Sequence, residues 1–537
     1  MNESLFVSGT DVRNYMLNDS LVDWLKLYSS NTKPNDVFID HLLNQGKEFE
    51  TKIIKNINDT LKIVSVSSIW SEDGVDKTLS FMKQGIPLIH SAPIKSDKLK
   101  LKGVADLLIR NDYLKHFTDF EYKHSCSKPY HYLVLDVKWS TIKLTANQFN
   151  MVNSANTPAY KGQIRIYNLC ISEMQDYEPT VGFILGRRYS CDSKNLKFNS
   201  PFDKLGIIDY DGKDFFYKDR VDKAINWVRE VRTKGKNWVL NPPSNYNLYP
   251  NMKVDSGCWN SVKTEIAKEI GEITLLWYCG IKNRQYAFDK GIFSYKDKRC
   301  SSLLLRQQGK PLVDKILKIN QQAIHRVSMN KNLIIPVYEN EMFVDFETFC
   351  DVIDNIEDYR ANTIFLIGVH YKGNYYSFVA KDLSEESELE IMEEFVSFVV
   401  SNGNPVLWYW HAEAGLWDRS CEHQISPKVL DMPDLYWKDL KDVFMVNNIV
   451  IKDCFSYRLK DVASALCNHN LISVSNHSEF KNGKEASLSA LFVYLEKRDR
   501  NELGIRNSSI IKEIIKYNEF DVVVLNKLLF YVRSLIN

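Results

Sequence analysis

The chain has 537 residues, 44% of them hydrophobic and 26% charged, with a formal net charge of +1. That composition describes a globular protein of about two to four domains. The near-zero charge excludes a basic tail, so any nucleic-acid binding must rest on local patches.

No run approaches the roughly 18 apolar residues of a membrane-crossing helix, and no membrane association is expected. The polar start Met1-Asn2-Glu3-Ser4 lacks signal-peptide features. Ten scattered cysteines without a C-x-x-C pair fit a reducing, intracellular and cytoplasmic setting. They argue against a zinc ribbon or a cysteine-ligated iron–sulfur cluster.

In chain order, residues 11–29 read as a helix that Asp11 caps, with Leu21, Trp24, Leu25 and Tyr28 on its apolar face. A helix over 36–58 aligns Phe38, Leu42, Phe49, Ile53 and Ile54, with Glu50 beside the stripe. A third helix covers 74–84. Strands are predicted over 86–90, 101–110 and 132–139, the second carrying Asp106 and the third Asp136 and Lys138. Residues i and i+2 of a strand share a face. The Asp136–Lys138 pair is therefore either a solvated salt bridge or an acid and a lysine presented together. Gln163 and Tyr167 are i, i+4 on a predicted helix, where a polar rim is the alternative account.

Together Glu50, Asp106, Asp136, Lys138, Gln163 and Tyr167 resemble the RecB-family branch of the PD-(D/E)xK nucleases. The resemblance implies a restriction-endonuclease-like fold. It also implies that Glu50, Asp106 and Asp136 hold Mg²⁺ or Mn²⁺, while Lys138 orients water and steadies transition-state charge. Relatives with a metal-ligand His on the first helix also carry four cluster cysteines. Here Glu50 takes that position, His41 is a substitute or a surface histidine, and no iron–sulfur cluster is expected.

Strands over 181–186 and 205–209 complete this domain, and a helix covers 219–233. Asn241-Pro242-Pro243-Ser244-Asn245-Tyr246 reads as a linker. Residues 258–330 read as helices with short breaks, and resemble the connector of RecB-like nucleases of prokaryotes and phages. Those proteins join a RecB-type domain to a C-terminal ribonuclease H-like domain, so the resemblance covers nearly the whole chain. Lys296, Lys298, Arg299 and Arg306 either meet phosphates or form a solvated helix face.

The last third begins with the apolar strand Met342-Phe343-Val344-Asp345-Phe346-Glu347-Thr348. Asp345 and Glu347 would leave one strand face together. Neighbouring carboxylates repel and are costly to desolvate. A hard cation between them removes that cost; a strand end with two solvated acids is the plain alternative. Strands over 363–369 and 375–379, a helix over 385–401 and a strand over 405–411 follow. At the far end, Tyr517 and Asp521 share one face of a helix.

A strand D-x-E followed by a helical Y-x-x-x-D resembles the DEDD exonucleases of the ribonuclease H-like superfamily. The resemblance implies three strands, a helix, a fourth strand and later helices. It also implies metal ligation by Asp345, Glu347 and Asp521, with Tyr517 orienting water. The remaining carboxylate is Glu413 or Asp418, and His411 is a polar strand end rather than a ligand. Arg458 and Lys460 are placed to face nucleic acid, and structural capping of a helix by Asp461 is the alternative account of the same loop.

The expected organisation is an α/β multidomain chain. Residues 1–245 form a PD-(D/E)xK domain, 246–335 a helical connector and 336–537 a ribonuclease H-like DEDD 3′–5′ exonuclease domain. The expected function is metal-dependent DNA hydrolysis in repair, recombination or replication. RNA trimming and a nucleic-acid scaffold with one inactive site are the alternatives. No G-x-x-x-x-G-K-[ST] occurs, so ATP-driven unwinding would need a helicase or replication partner.

Overall fold

The computed structural model describes residues 5–29, 37–123, 128–307, 310–322, 325–330, 335–349, 362–424, 432–475, 478–480, 482–500 and 505–536. The polar start at 1–4, residue 36 and the Phe38 side chain lie outside this set. Two compact units, Met1–Ile270 and Gly271–Asn537, make up the chain. Residues 246–270 of the expected connector fall in the first and 271–335 in the second. Both units are mixed α/β assemblies. No helix among the described residues is long and apolar enough to cross a membrane.

In the first unit, helix α1 (Val37–Asn58) precedes strands β1 (Leu88–Ser96), β2 (Leu101–Arg110) and β3 (Tyr132–Lys143). These three are antiparallel neighbours. Helix α2 (Thr157–Gln175) then returns the chain to β4 (Val181–Cys191), parallel to β3. The two sheet faces follow the strand alternation. Leu133, Leu135 and Val137 pack with Phe49, Ile53 and Ile57 of α1. Tyr132 and Val134 pack with Ile164, Tyr167 and Ile171 of α2. The even-numbered positions of β3, Asp136 among them, thus belong to the α2 side. The β3–β4 register shifts just after Lys138, between Lys138 and Thr141.

The helix expected over 11–29 is two pieces, Arg13–Met16 and Leu21–Tyr28. Asn18 in the left-handed region (φ 59°) ends the first. Asp11 does not cap it: its carboxylate accepts from Ser8 N and Ser8 Oγ, both at 2.8 Å. Between 258 and 330 the helices are Asn260–Ile270, Ile281–Phe288 and Pro311–Gln321. Residues 291–306 form turns, with Gly291 (φ 68°) and Arg306 (φ 54°) both left-handed. Lys296, Lys298, Arg299 and Arg306 therefore share no helix face. Arg299 is paired with Asp297 at 2.6 Å, and Arg306 lies 3.6 Å over the Tyr286 ring.

The second unit is built on β5 (Glu341–Thr348), β6 (Ile364–Tyr371) and β7 (Asn374–Val379), then α3 (Glu385–Ser401), β8 (Val406–Tyr409), α4 (Glu413–His423) and β9 (Trp437–Asp439). The spatial order is β7-β6-β5-β8-β9. β5 pairs antiparallel with β6 and parallel with β8, and so lies at the centre. Helices α5 (Leu459–Asn468), α6 (Gly483–Asp499) and α7 (Ser509–Ser534) follow. The buried stripe of α7, from Ile511 through Leu525 to Val532, packs on β5 and β6. Arg533 fixes the far end of α7 by a two-pronged pair to Glu341, at 2.8 and 2.6 Å.

Candidate functional site

The second unit brings Asp345, Glu347 and Asp521 together: one carboxylate oxygen from each lies within 4.8 Å of the others. The strand supplies two of them at i, i+2, and its register with β6 shifts immediately after Glu347. Glu347 and Asp521 are buried, Asp345 half-buried. Burial, then the Asp521 charge, raise the Asp345 carboxyl well above its usual range. The same two causes push Glu347 up to about 8. Burial pushes Asp521 up to about 6, opposed by Lys460 and by the Tyr517 hydroxyl bonded to it. Three acids that resist ionisation together, all offering oxygen, suit a hard divalent cation. Asp521 Oδ1, buried without a hydrogen-bond partner among the described residues, leaves a lone pair for one.

Tyr517 is buried one turn before Asp521, and its own proton is held tightly by burial and by the acids around it. Lys460 Nζ donates to the Tyr517 hydroxyl. The ammonium lies 3.8 Å over the Tyr517 ring and 4.0 Å from Asp521 Oδ2. Lys460 thus belongs to the acidic site, whereas Arg458 is exposed at the head of α5. Asp461 does not cap that helix; it accepts from the Ser456 hydroxyl.

Glu413 and Asp418 have different surroundings. Glu413 is buried at the start of α4 and raises the pKa of Asp345 and Glu347 by its charge. Its carboxylate also accepts from Ala412 N at 3.2 Å, and burial pushes it up to about 7. It stands beside the three acids without joining the group within 4.8 Å. Asp418 is exposed farther along α4. The strand expected to reach His411 stops at Tyr409, and His411 sits in a bend with φ 82°. Its N–H donates to Asp439 at 3.2 Å.

Sequence reasoning missed Asn518. Its Nδ2 donates to Asp345 Oδ2 at 2.8 Å and to the Asp345 carbonyl at 3.2 Å. It also hydrogen-bonds Glu347, and Tyr375 OH donates to its Oδ1 at 3.0 Å. A neutral amide thus holds two strand carboxylates in place. Gly368, cross-strand partner of Asp345, makes room for it: a Cβ there would lie 1.5 Å from Asn518 Oδ1. Only the two-residue Tyr517-Asn518 step before the acidic turn could have signalled this.

In the first unit, Asp106 Oδ2 accepts from Val137 N at 2.8 Å, which fixes it against β3. Burial, then the Asp136 charge, push its pKa well up. Asp136 is fully buried, paired with Lys138 Nζ. Its Oδ1 lacks a hydrogen-bond partner among the described residues. Burial works against the Lys138 charge, but Asp136 and Asp106 outweigh it and hold the ammonium protonated. Gln163 Nε2 donates to Tyr167 OH at 3.0 Å, and both Asp136 and Asp106 act on the Tyr167 hydroxyl. Gly103 provides the slot for the ring, since a Cβ there would meet Tyr167 Cε1 at 2.4 Å.

Glu50 is near enough to act on Asp106. Its carboxylate, however, faces His90 Nε2 at 3.3 Å. Glu50, Asp106 and Asp136 do not form a group within 4.8 Å. His90, on β1, is a second residue that sequence reasoning passed over; Ser65 and Ser91 hydroxyls flank it at 3.0 and 3.1 Å. His41 is half-buried on α1. Compared with known proteins, the chain matches no family model and no curated sequence.

Proposed function

We propose that the second unit is a divalent-metal-dependent phosphodiesterase of the ribonuclease H-like DEDD exonuclease kind, acting on nucleic-acid ends, with DNA the favoured polymer. One observation carries this reading: a strand pair and a helix acid, far apart in sequence, converge within 4.8 Å. They do so at the cost of strongly raised carboxyl pKa values. Such an arrangement is unfavourable in itself, and a bound cation would relieve it. Asp345, Glu347 and Asp521 would hold Mg²⁺ or Mn²⁺, with Glu413 as an adjacent acid. The bound ion would supply a more acidic water and a Lewis acid for the leaving oxygen. Asn518 orients the strand carboxylates. The Tyr517 hydroxyl, fixed by Lys460 and bonded to Asp521, would turn its proton to a water or a phosphate oxygen once a cation takes up the Asp521 carboxylate. The Lys460 ammonium offsets phosphate charge.

The first unit we read as a RecB-like PD-(D/E)xK centre. The observation favouring it is the charge-coupled Asp106 and Asp136 with the Lys138 ammonium paired to Asp136. Lys138 would steady developing negative charge, and Tyr167 and Gln163 would brace the site.

The test is cleavage of end-labelled single- and double-stranded DNA and RNA with and without Mn²⁺. Asp345→Asn and Asp136→Asn are assayed singly and together. Metal-dependent cleavage that each variant lowers and the double variant loses supports both sites. Full cleavage by the double variant refutes both, and preference for RNA replaces DNA as the polymer.

A further inference from the structure

The β1–β2 hairpin carries four lysines within eight residues, Lys95 at the end of β1, Lys98 and Lys100 in the turn and Lys102 at the start of β2. Lys95 and Lys102 are cross-strand partners. Three of the ammoniums gather on one ring: Lys95, Lys100 and Lys102 lie 5.5, 5.4 and 6.0 Å from the Phe6 centroid. Lys102 also lies 4.5 Å over Trp70. Lys95 is compensated by Glu72 at 2.7 Å and Asp97 at 3.1 Å. Lys100 and Lys102 have no ion pair among the described residues. An aromatic face positions a cation through its quadrupole without cancelling its charge. Two lysines are thus held in place and left electrically uncompensated, which suits an anion.

The scaffold beneath them is fixed. Arg229 donates to the carbonyls of Leu5 (3.1 Å), Leu99 (2.6 Å) and Lys100 (3.3 Å). Arg232 donates to the Phe6 carbonyl, and Trp70 Nε1 to the Ile94 carbonyl at 3.2 Å. Apolar side chains border the lysines in the open: Ile69 is 76% exposed and Leu99 40%. Cations beside exposed apolar and aromatic groups match a strand whose bases are unpaired, rather than a duplex whose bases are stacked inward.

We propose that this platform binds single-stranded DNA. Lys100 and Lys102 take backbone phosphates, and Ile69, Leu99 and Trp70 meet the bases. Lys102 is four residues from Asp106 on β2, roughly 13 Å at about 3.3 Å per residue. On the reading of the first unit as a nuclease, the platform holds the strand a few nucleotides from the acids.

The test is fluorescence anisotropy of a labelled oligothymidylate with the full chain in EDTA, over a salt series. Metal-free binding is read separately from cleavage, so its failure leaves the nuclease reading standing. Lys100→Gln with Lys102→Gln should weaken binding about tenfold and lower the salt slope by about 1.4, at about 0.7 per phosphate. Phe6→Leu, which keeps every charge, should weaken binding severalfold with the slope retained. Wild-type affinity and slope in the lysine double variant would overturn the proposal. So would equal competition by an unlabelled duplex. Circular dichroism and thermal melting matched to wild type exclude misfolding as the cause of any loss.

Discussion

Gly368→Ala tests the architecture of the acidic site through a residue that bears no charge. Gly368 is not among the glycines with positive φ, so alanine meets no backbone penalty. It even gains about 0.5–1 kcal/mol over glycine within a strand. The difficulty is space. The new methyl would lie 1.5 Å from Asn518 Oδ1, 2.7 Å from its Cγ and 3.0 Å from Tyr375 OH. Asn518 is fully buried and cannot turn to solvent. Overpacking costs about 1–3 kcal/mol, and stranding a buried amide about 1–3 more. Set against the strand gain, the net loss is about 1–5 kcal/mol. Urea unfolding of the second unit measures it, and Mn²⁺ titration should show weaker binding as Asp345 loses its clamp. The two closest contacts both fall on Asn518, so Asn518→Ala should remove most of the clash. Gly368→Ala with Asn518→Ala must then cost clearly less than the two single changes added. Strict additivity, or a Gly368→Ala loss under about 0.5 kcal/mol, would refute it.

Protonation gives a second expectation. Glu347 and Asp521 keep protons to about pH 8 and 6, above their unfolded values. The folded state therefore binds more protons, and metal-free stability falls as pH rises from about 4 to about 8. Denaturation at pH 5 and pH 8 should show that fall in EDTA and lose it in saturating Mn²⁺, whose affinity rises over the same window. Tyr517→Phe should slow end-trimming with Mn²⁺ affinity largely kept; an equal loss of both would make the hydroxyl a structural prop. Lys138→Ala leaves Asp136 buried and unpaired, so it should destabilise the first unit by about 3–5 kcal/mol. Asp136→Asn in an Asp345→Asn background should remove the residual cleavage with a smaller loss, because Asp106 still faces the Lys138 ammonium.

The periodicities made much of this legible. Asp345 and Glu347 stand at i, i+2 after an apolar run, and Tyr517 and Asp521 at i, i+4 on a striped helix. Each spacing states which residues share a face, and the structure joins the two faces. What stayed hidden depends on register and on close approach. Asn518 reads as a polar residue within an apolar stripe until β6 is laid against β5 and Gly368 falls beside Asp345. The strand expected over 405–411 stops at Tyr409, and Glu413 opens a helix, where its carboxylate accepts from Ala412 N. The Phe6, Trp70 and Lys102 cluster is drawn from three separate segments, and no window of sequence contains it.

The pinning of α7 on β5 also bears on biosynthesis. Asn518 reaches back 173 positions to Asp345. At about 5–20 residues per second, roughly 10–35 s of translation separate the two. Through that interval a nascent chain displays Asp345 and Glu347 without Asp521, and no complete acidic group exists. The site is therefore finished only once α7 has left the ribosome and docked, with Arg533 reaching Glu341 to seat it. A ribosome-bound chain stopped before residue 518 should accordingly bind no Mn²⁺ at this position, and a chain extended until α7 is clear of the exit tunnel should bind it.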